Sequence, residues 1–191
     1  CISSKPCENL MAILKIARLG HPVLRKPAET ISIENISSDS IQRIIRDMHE
    51  TVLDADGAGL AAPQVFVSKQ IVLLDLDDDQ GMQVWINPTI TPLSEDVMIG
   101  FEGCLSVPNM RGAVARYAKI SVSGWNANGE SFTMELEDHP AVVAQHECDH
   151  LQGILYVDRV EPFTLSFLPE YKKYGHTLWQ FISDEEDSTG E

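Results

Sequence analysis

Between Ser38 and Gly57 the apolar residues Ile41, Ile44, Ile45, Met48 and Val52 recur at intervals of three and four. That spacing gathers them on one face of a helix. Ser38 or Asp39 offers a side-chain acceptor to the first free amides and Gly57 stops the run, so an amphipathic helix is predicted over about 39–55. Upstream, Pro22 and Pro27 each remove a helix donor, and residues 13–36 read as an irregular segment wrapped over a surface. Downstream, the aliphatic stretch at 70–76, the polar DDDQG at 77–81 and QVWINP at 83–88 read as strand, turn and strand. Two more strands are predicted at about 117–124 and 131–137, joined by the turn-forming Asn126 to Gly129. AVVAQHECDHLQ at 141–152 reads as a helix with Asp138 as its cap, Pro140 in the first turn and Gly153 just past its end. A short helix around 169–182 precedes the polar SDEEDSTGE.

Helix, several strands and helix in that order argue for an α+β fold, its mixed or antiparallel strands packed around the helix at 141–152, and against a doubly wound sheet. A chain of 191 residues is the length of one domain. That domain is expected over 11–182, with 1–10 a disordered leader or extension and 183–191 a disordered acidic tail.

The 14 basic against 29 acidic residues give a net charge of −15. No basic stripe is left to neutralise phosphates, so direct DNA binding is not expected. An anionic membrane would repel the chain, and apolar runs such as Ile71–Leu74 are strand-sized, far short of the roughly 18 residues of a spanning helix. Five of the 29 acids, Asp184, Glu185, Glu186, Asp187 and Glu191, lie at the C-terminal end, and Asp75, Asp77, Asp78 and Asp79 cluster in one strand and turn. The 4 cysteines, Cys1, Cys7, Cys104 and Cys148, are too few for a disulfide scaffold and point to a reducing interior.

The strongest chemical signal is His146-Glu147-Cys148-Asp149-His150. On a helix, His146 and His150 share a face and can hold one metal ion, while Glu147 reaches a metal-bound water. A catalytic metal needs a third protein ligand. Tyr156 stands where a third histidine of HExxHxxGxxH would be, which excludes that arrangement. Glu170 and Cys104 remain; Cys104 is the better candidate, because it lies in the turn-like segment 101–106 where Gly103 permits close backbone approach. Gly57 to Ala62 superficially matches a dinucleotide fingerprint, but it follows a helix and runs into Pro63, the wrong context for that fold. Its glycines instead let extended backbone pass close to a ligand, and Gln64 then offers an amide to a developing oxyanion. Cys148 reads as core filler.

Together, GAGLAAPQ at 57–64, EGCLS at 102–106 and QHECDH at 145–150 closely resemble, in order and spacing, the three signature segments of peptide deformylases. The likeness runs from about Met11 to Val160. It implies removal of the formyl group from the N-terminal formylmethionine of nascent peptides, with release of formate, by one divalent metal ion. The usual ion is Fe(II), with Zn(II), Ni(II) or Co(II) also suited to a mixed thiolate and imidazole set. Carried over by position, Cys104, His146 and His150 are the metal ligands and Glu147 the general acid and base. Gln64 and the Leu105 amide are the oxyanion donors. Gly59 and Ala58 meet the substrate backbone, Val142 and Val143 line the methionine pocket, and Glu102 and Arg111 stand at the mouth of the cleft. Asp149 matches an acid that steadies the site from behind, with Arg116 as its partner. The resemblance further implies a bacterial cytoplasmic or organellar home. The acidic C-terminal end, with only Lys172 and Lys173 basic nearby, leaves at most a transient ribosome association.

Overall fold

The computed structural model describes residues 12–76, 81–180 and 182. The expected leader, the polar turn at 77–80 and the acidic tail lie outside the described residues.

Strand β2 (Ile71–Leu74) explains the architecture, because all four of its side chains are buried. Successive side chains of a strand point to opposite faces. Ile71 and Leu73 join the core formed with Ile41, Ile45, Met48 and Val52 of α2 (Asp39–Asp54), whereas Val72 and Leu74 join the core formed with Ala141, Val143 and Ala144 of α3 (Asp138–Leu151). A helix on each face is why this strand reads as an unbroken apolar run. It belongs to a five-stranded antiparallel sheet in the order β1 (Gly59–Ala61), β2, β3 (Gln83–Pro92), β6 (Lys119–Trp125), β7 (Ser131–Glu137). The outer strand β7 alternates half-buried Phe132, Met134 and Leu136 with exposed Glu135 and Glu137, and Lys119 pairs with both glutamates.

A second sheet, β4 (Val97–Cys104), β5 (Val107–Tyr117) and β8 (Ser166–Phe167), is also antiparallel. The turn-like reading of 101–106 is corrected: residues up to Cys104 are strand, and only Leu105 and Ser106 turn. Strand β5 was not anticipated, because Pro108, Asn109 at φ 61° and Gly112 interrupt its alternation. Strand β3 runs beyond residue 88 past a register shift at Asn87, whose φ is 49° and whose side chain clamps both polar groups of the Ile31 backbone.

The irregular segment 13–36 holds α1 (Ile33–Ile36) and a 3-10 turn at Pro22–Arg25. The Ser38 hydroxyl caps α2 at the Ile41 amide. Helix α3 starts at Asp138, which has φ 55° and supplies no side-chain cap; the preceding Glu137 supplies none either. Gly153, at φ 75°, follows the end of α3 as expected. Helix α4 (Leu168–Leu178) is held against β4 by Phe101, whose ring lies 4.8 Å from that of Tyr171 and 5.3 Å from that of Trp179. Among the described residues no helix is long and apolar enough to cross a membrane.

Candidate active site

Cys104 ends β4, and α3 carries His146 and His150 one helical turn apart, with Glu147 next to the first. Packing α3 against both sheets brings one ligand atom each from Cys104, His146 and His150 within 4.8 Å of one another. Cys104 Sγ is 3.3 Å from His150 Nε2. Metal–sulfur and metal–nitrogen bonds of about 2.3 and 2.0 Å put neighbouring ligands of a tetrahedral ion about 3.5 Å apart, so the donors present fit such an ion in number, softness and separation. His150 Nδ1 and Glu147 Oε2 are buried and have no hydrogen-bond partner among the described residues. Glu170 is exposed on α4, outside this cluster.

Two donors converge on the sulfur. Gln64, in the 3-10 turn Ala62–Val65, accepts from the Ala61 amide through Oε1 at 2.8 Å. That bond fixes the amide so that Nε2 donates to Cys104 Sγ at 3.4 Å and to Ser106 Oγ at 3.1 Å. The Ser106 backbone N–H donates to the same sulfur at 3.4 Å.

Behind His146 lies a buried chain of charges. His146 Nδ1 is 2.8 Å from Glu102 Oε2, and Arg116 grips both Glu102 oxygens at 2.8 and 3.0 Å. Arg116 also donates to Asp149, which receives Arg159 at 2.7 and 2.8 Å. Burial pushes the Glu102 carboxyl up, but hydrogen bonds from Arg116 and His146 outweigh it and hold the group at about 2. A carboxylate only accepts, so the Nδ1 proton of His146 is fixed and Nε2 is the nitrogen left for the cluster. This corrects one expectation: Glu102 is not at the mouth of the cleft but buried behind a histidine, drawn there by Arg116.

Burial pushes Glu147 up to about 7, with the Glu102 charge adding to the rise and His146 and Arg116 opposing it. Such a group takes and returns a proton near neutrality. For His146 burial opposes protonation, yet the hydrogen bonds to Cys104 and Glu102 and the Glu147 charge raise it well above the usual range. His150 is pushed well below it by burial and by the positive charges of His146 and Arg116.

The other expected site residues are distributed around this centre. Gly59 lies in β1 against Glu147; a Cβ there would sit 2.6 Å from Glu147 Oε1. Ala58 is exposed, and its carbonyl accepts from the Asp75 amide. Arg111 folds over Gly103, where a Cβ would lie 2.1 Å from its Nη1, and donates to the Met110 carbonyl. Val142 is half-buried, and Val143 packs into the core between α3 and the five-stranded sheet. Leu105 sits in the turn, its carbonyl accepting from Arg18. Sequence reasoning missed Ser106, Arg18 and Tyr156. Tyr156 is buried with its ring 6.1 Å from that of His146, whereas the sequence pattern marked its position only as lacking a histidine. A cleft of about 730 Å³ opens on the other face of α3, beside Gln145, Cys148 and Asp149. It includes none of the three clustered donors.

An α+β fold that gathers a half-buried cysteine and two histidines beside a carboxyl poised near neutrality is that of a metal-dependent hydrolase. Residues 13–165 match the family described as polypeptide deformylase. A peptide deformylase of Leptospira biflexa serovar Patoc is 44% identical over 160 residues, covering 79% of this chain and 89% of the relative. The crystal structure of peptide deformylase from Thermotoga maritima superposes with a TM-score of 0.74 at 37% identity, covering 78% of this chain and 99% of that one. The Met-ala-ser bound class I type b peptide deformylase from Acinetobacter baumannii gives 0.73 at 33% identity, covering 79% and 100%. The chain belongs to the polypeptide deformylase family.

Proposed function

We propose that this enzyme hydrolyses the formyl amide at the N-terminal formylmethionine of newly made peptides, giving formate and a free amine, in a single catalytic domain spanning about residues 11–182. Cys104, His146 and His150 hold one divalent metal ion, Fe(II) by preference, with Zn(II), Ni(II) or Co(II) as alternatives. When bound, that ion supplies Lewis acidity, bringing the pKa of a water ligand down towards neutrality and polarising the formyl oxygen.

The observation that carries the reading is Glu147, a buried carboxyl held near 7 beside the three donors. Its free Oε2 takes a proton from the attacking water, then returns it to the departing amine nitrogen. Gln64 Nε2 and the Leu105 amide donate to the oxygen that gains charge as the carbonyl becomes tetrahedral. The Ala61 bond to Oε1 holds Gln64 ready, so no reorganisation is needed at that moment. The backbone at Ala58 and at Gly59 of β1 meets the substrate peptide, Val142 and Val143 flank its methionine side chain, and Arg111 stands where the peptide leaves the cleft. Glu102 acts through His146 instead of touching substrate. The Met-ala-ser complex of the Acinetobacter baumannii relative supports a methionine-first peptide. Nascent chains place the enzyme in the bacterial cytoplasm or an organelle, and a net charge of −15 favours only transient encounters with ribosomes.

Formate release from formyl-Met-Ala-Ser tests this. Glu147→Gln is expected to keep its metal and lose turnover by at least about 100-fold, and Cys104→Ala to lose the metal itself. Full activity in both variants refutes the assignment.

A further inference from the structure

The segment just before the first helical turn touches the centre at three consecutive residues. The Ala17 amide donates to the Gln64 carbonyl at 2.7 Å, the Leu19 amide donates to the Ser106 carbonyl at 2.8 Å, and the Arg18 guanidinium between them donates to the Leu105 carbonyl. Ala17 is buried, which anchors the strap, whereas Arg18 projects from the surface. Residues 17–19 thus join the two loops from which Gln64 Nε2 and the Ser106 N–H donate to the Cys104 sulfur.

The Arg18 contact falls on a particular peptide group. The Leu105 carbonyl and the Ser106 N–H belong to one amide, and in a trans peptide they point in opposite directions. Arg18 therefore holds the oxygen end while the nitrogen end donates to Cys104 Sγ at 3.4 Å. A cation on the carbonyl polarises the amide and strengthens its N–H as a donor, because hydrogen bonds in series reinforce one another. It also fixes the rotation of a two-residue turn that would otherwise swing that N–H away from the sulfur.

We propose that Arg18 is a positioning residue, which through the Leu105–Ser106 peptide orients and sharpens the hydrogen bond to the Cys104 sulfur and so restrains how much charge the sulfur gives to a bound cation. This rests on the reading of Cys104 as a metal ligand. Arg18 touches neither substrate nor the ligand atoms.

The test is the sulfur-to-cobalt charge-transfer absorption of the Co(II)-substituted protein, followed together with steady-state formate release. A thiolate that loses a hydrogen bond holds its electrons less tightly. Arg18→Met is thus expected to move the band to longer wavelength and to lower kcat about three- to tenfold, leaving KM and the thermal midpoint near wild type because the side chain is exposed. Arg18→Lys, which keeps a charged donor, is expected to restore most of both signals. A band in Arg18→Met unchanged from wild type overturns the inference, even if activity falls. Absence of the band from the wild-type Co(II) protein overturns the ligand reading of Cys104 instead, so the two failures are distinguishable.

Discussion

Arg116 is the sharpest point at which to test how the site is built. Arg116 is 4% exposed and the Glu102 it grips is 7% exposed, so the pair is shielded from solvent. In Arg116→Met the aliphatic volume is largely kept, but Glu102 loses both Arg116 bonds and retains only His146. Asp149 is better placed, because Arg159 still holds both of its oxygens. Stranding one member of a buried ion pair costs about 3–5 kcal/mol. With one charge stranded and one hydrogen bond retained, the lower end applies, about 3 kcal/mol. In a domain whose total stability is of order 5–15 kcal/mol that is a large fraction. At this size each kcal/mol moves the midpoint about 2–4 °C, so a drop of roughly 6–12 °C is expected. Urea unfolding followed by circular dichroism on metal-loaded protein measures the free energy, and a thermal scan measures the midpoint. Adding Glu102→Gln removes the stranded charge, so the double variant should recover about half the loss. A loss below about 1 kcal/mol in Arg116→Met, or a double variant no more stable than the single one, refutes the argument that the burial of Glu102 depends on Arg116.

Gly59→Ala should displace the Glu147 carboxyl, since the new Cβ would lie 2.6 Å from Oε1; kcat for formate release is expected to fall about 100-fold, with a stability loss of about 1–3 kcal/mol. Gly153→Ala combines a φ of 75° with a Cβ only 2.7 Å from the Arg25 carbonyl carbon, so thermal unfolding should show a loss above about 2 kcal/mol. Asp158 gives a pH signature: burial pushes its carboxyl up, but Arg25 and the Leu155 amide outweigh that and hold it below its ordinary value. Its contribution is complete above the unfolded pKa, about 3.9, and disappears as pH falls through the lower folded value. Stability curves of wild type and Asp158→Asn should therefore converge in acid. Because the pair is more than a third exposed, the gap at neutral pH should stay under about 1 kcal/mol.

The sequence made some of this legible and hid the rest for physical reasons. Helix α2 was readable because one of its faces is wet, so burial imprints the period of the helix on the residue pattern. Strand β2 was readable because it is buried on both faces, and a short aliphatic run between turns has few other uses. Strand β5 left no such imprint: Gly112 replaces a side chain so that Val160 can approach, and Asn109 turns the backbone. At the candidate site, His146, Glu147 and His150 share one helix, and local spacing is enough to group them. The resemblance named Arg116 as the partner of Asp149, 33 positions away, and the two do pair, but the pairings of Glu102 with Arg116 and of Arg18 with Leu105, 14 and 87 positions apart, were not anticipated. Nothing in the spacing of such residues distinguishes a buried ion pair from two solvated charges, which is why Glu102 was expected in the open.

The two ends of the five-stranded sheet are unlike, and the difference bears on how copies of this chain behave when crowded. At one end β7 carries Glu135 and Glu137 outward, so a second copy approaching that edge meets carboxylates of its own kind. At the other end β1 has no such guard. On the proposed pairing of Gly59 with substrate, the outward backbone there is left for a peptide, and so is open to any extended chain, including an unfolded copy of itself, whereas the Ala61 N–H is already held by Gln64. Its protection is brevity: β1 is three residues long and runs straight into a 3-10 turn containing Pro63, which offers no amide to a further ladder rung. The edge is thus too short to template a growing sheet.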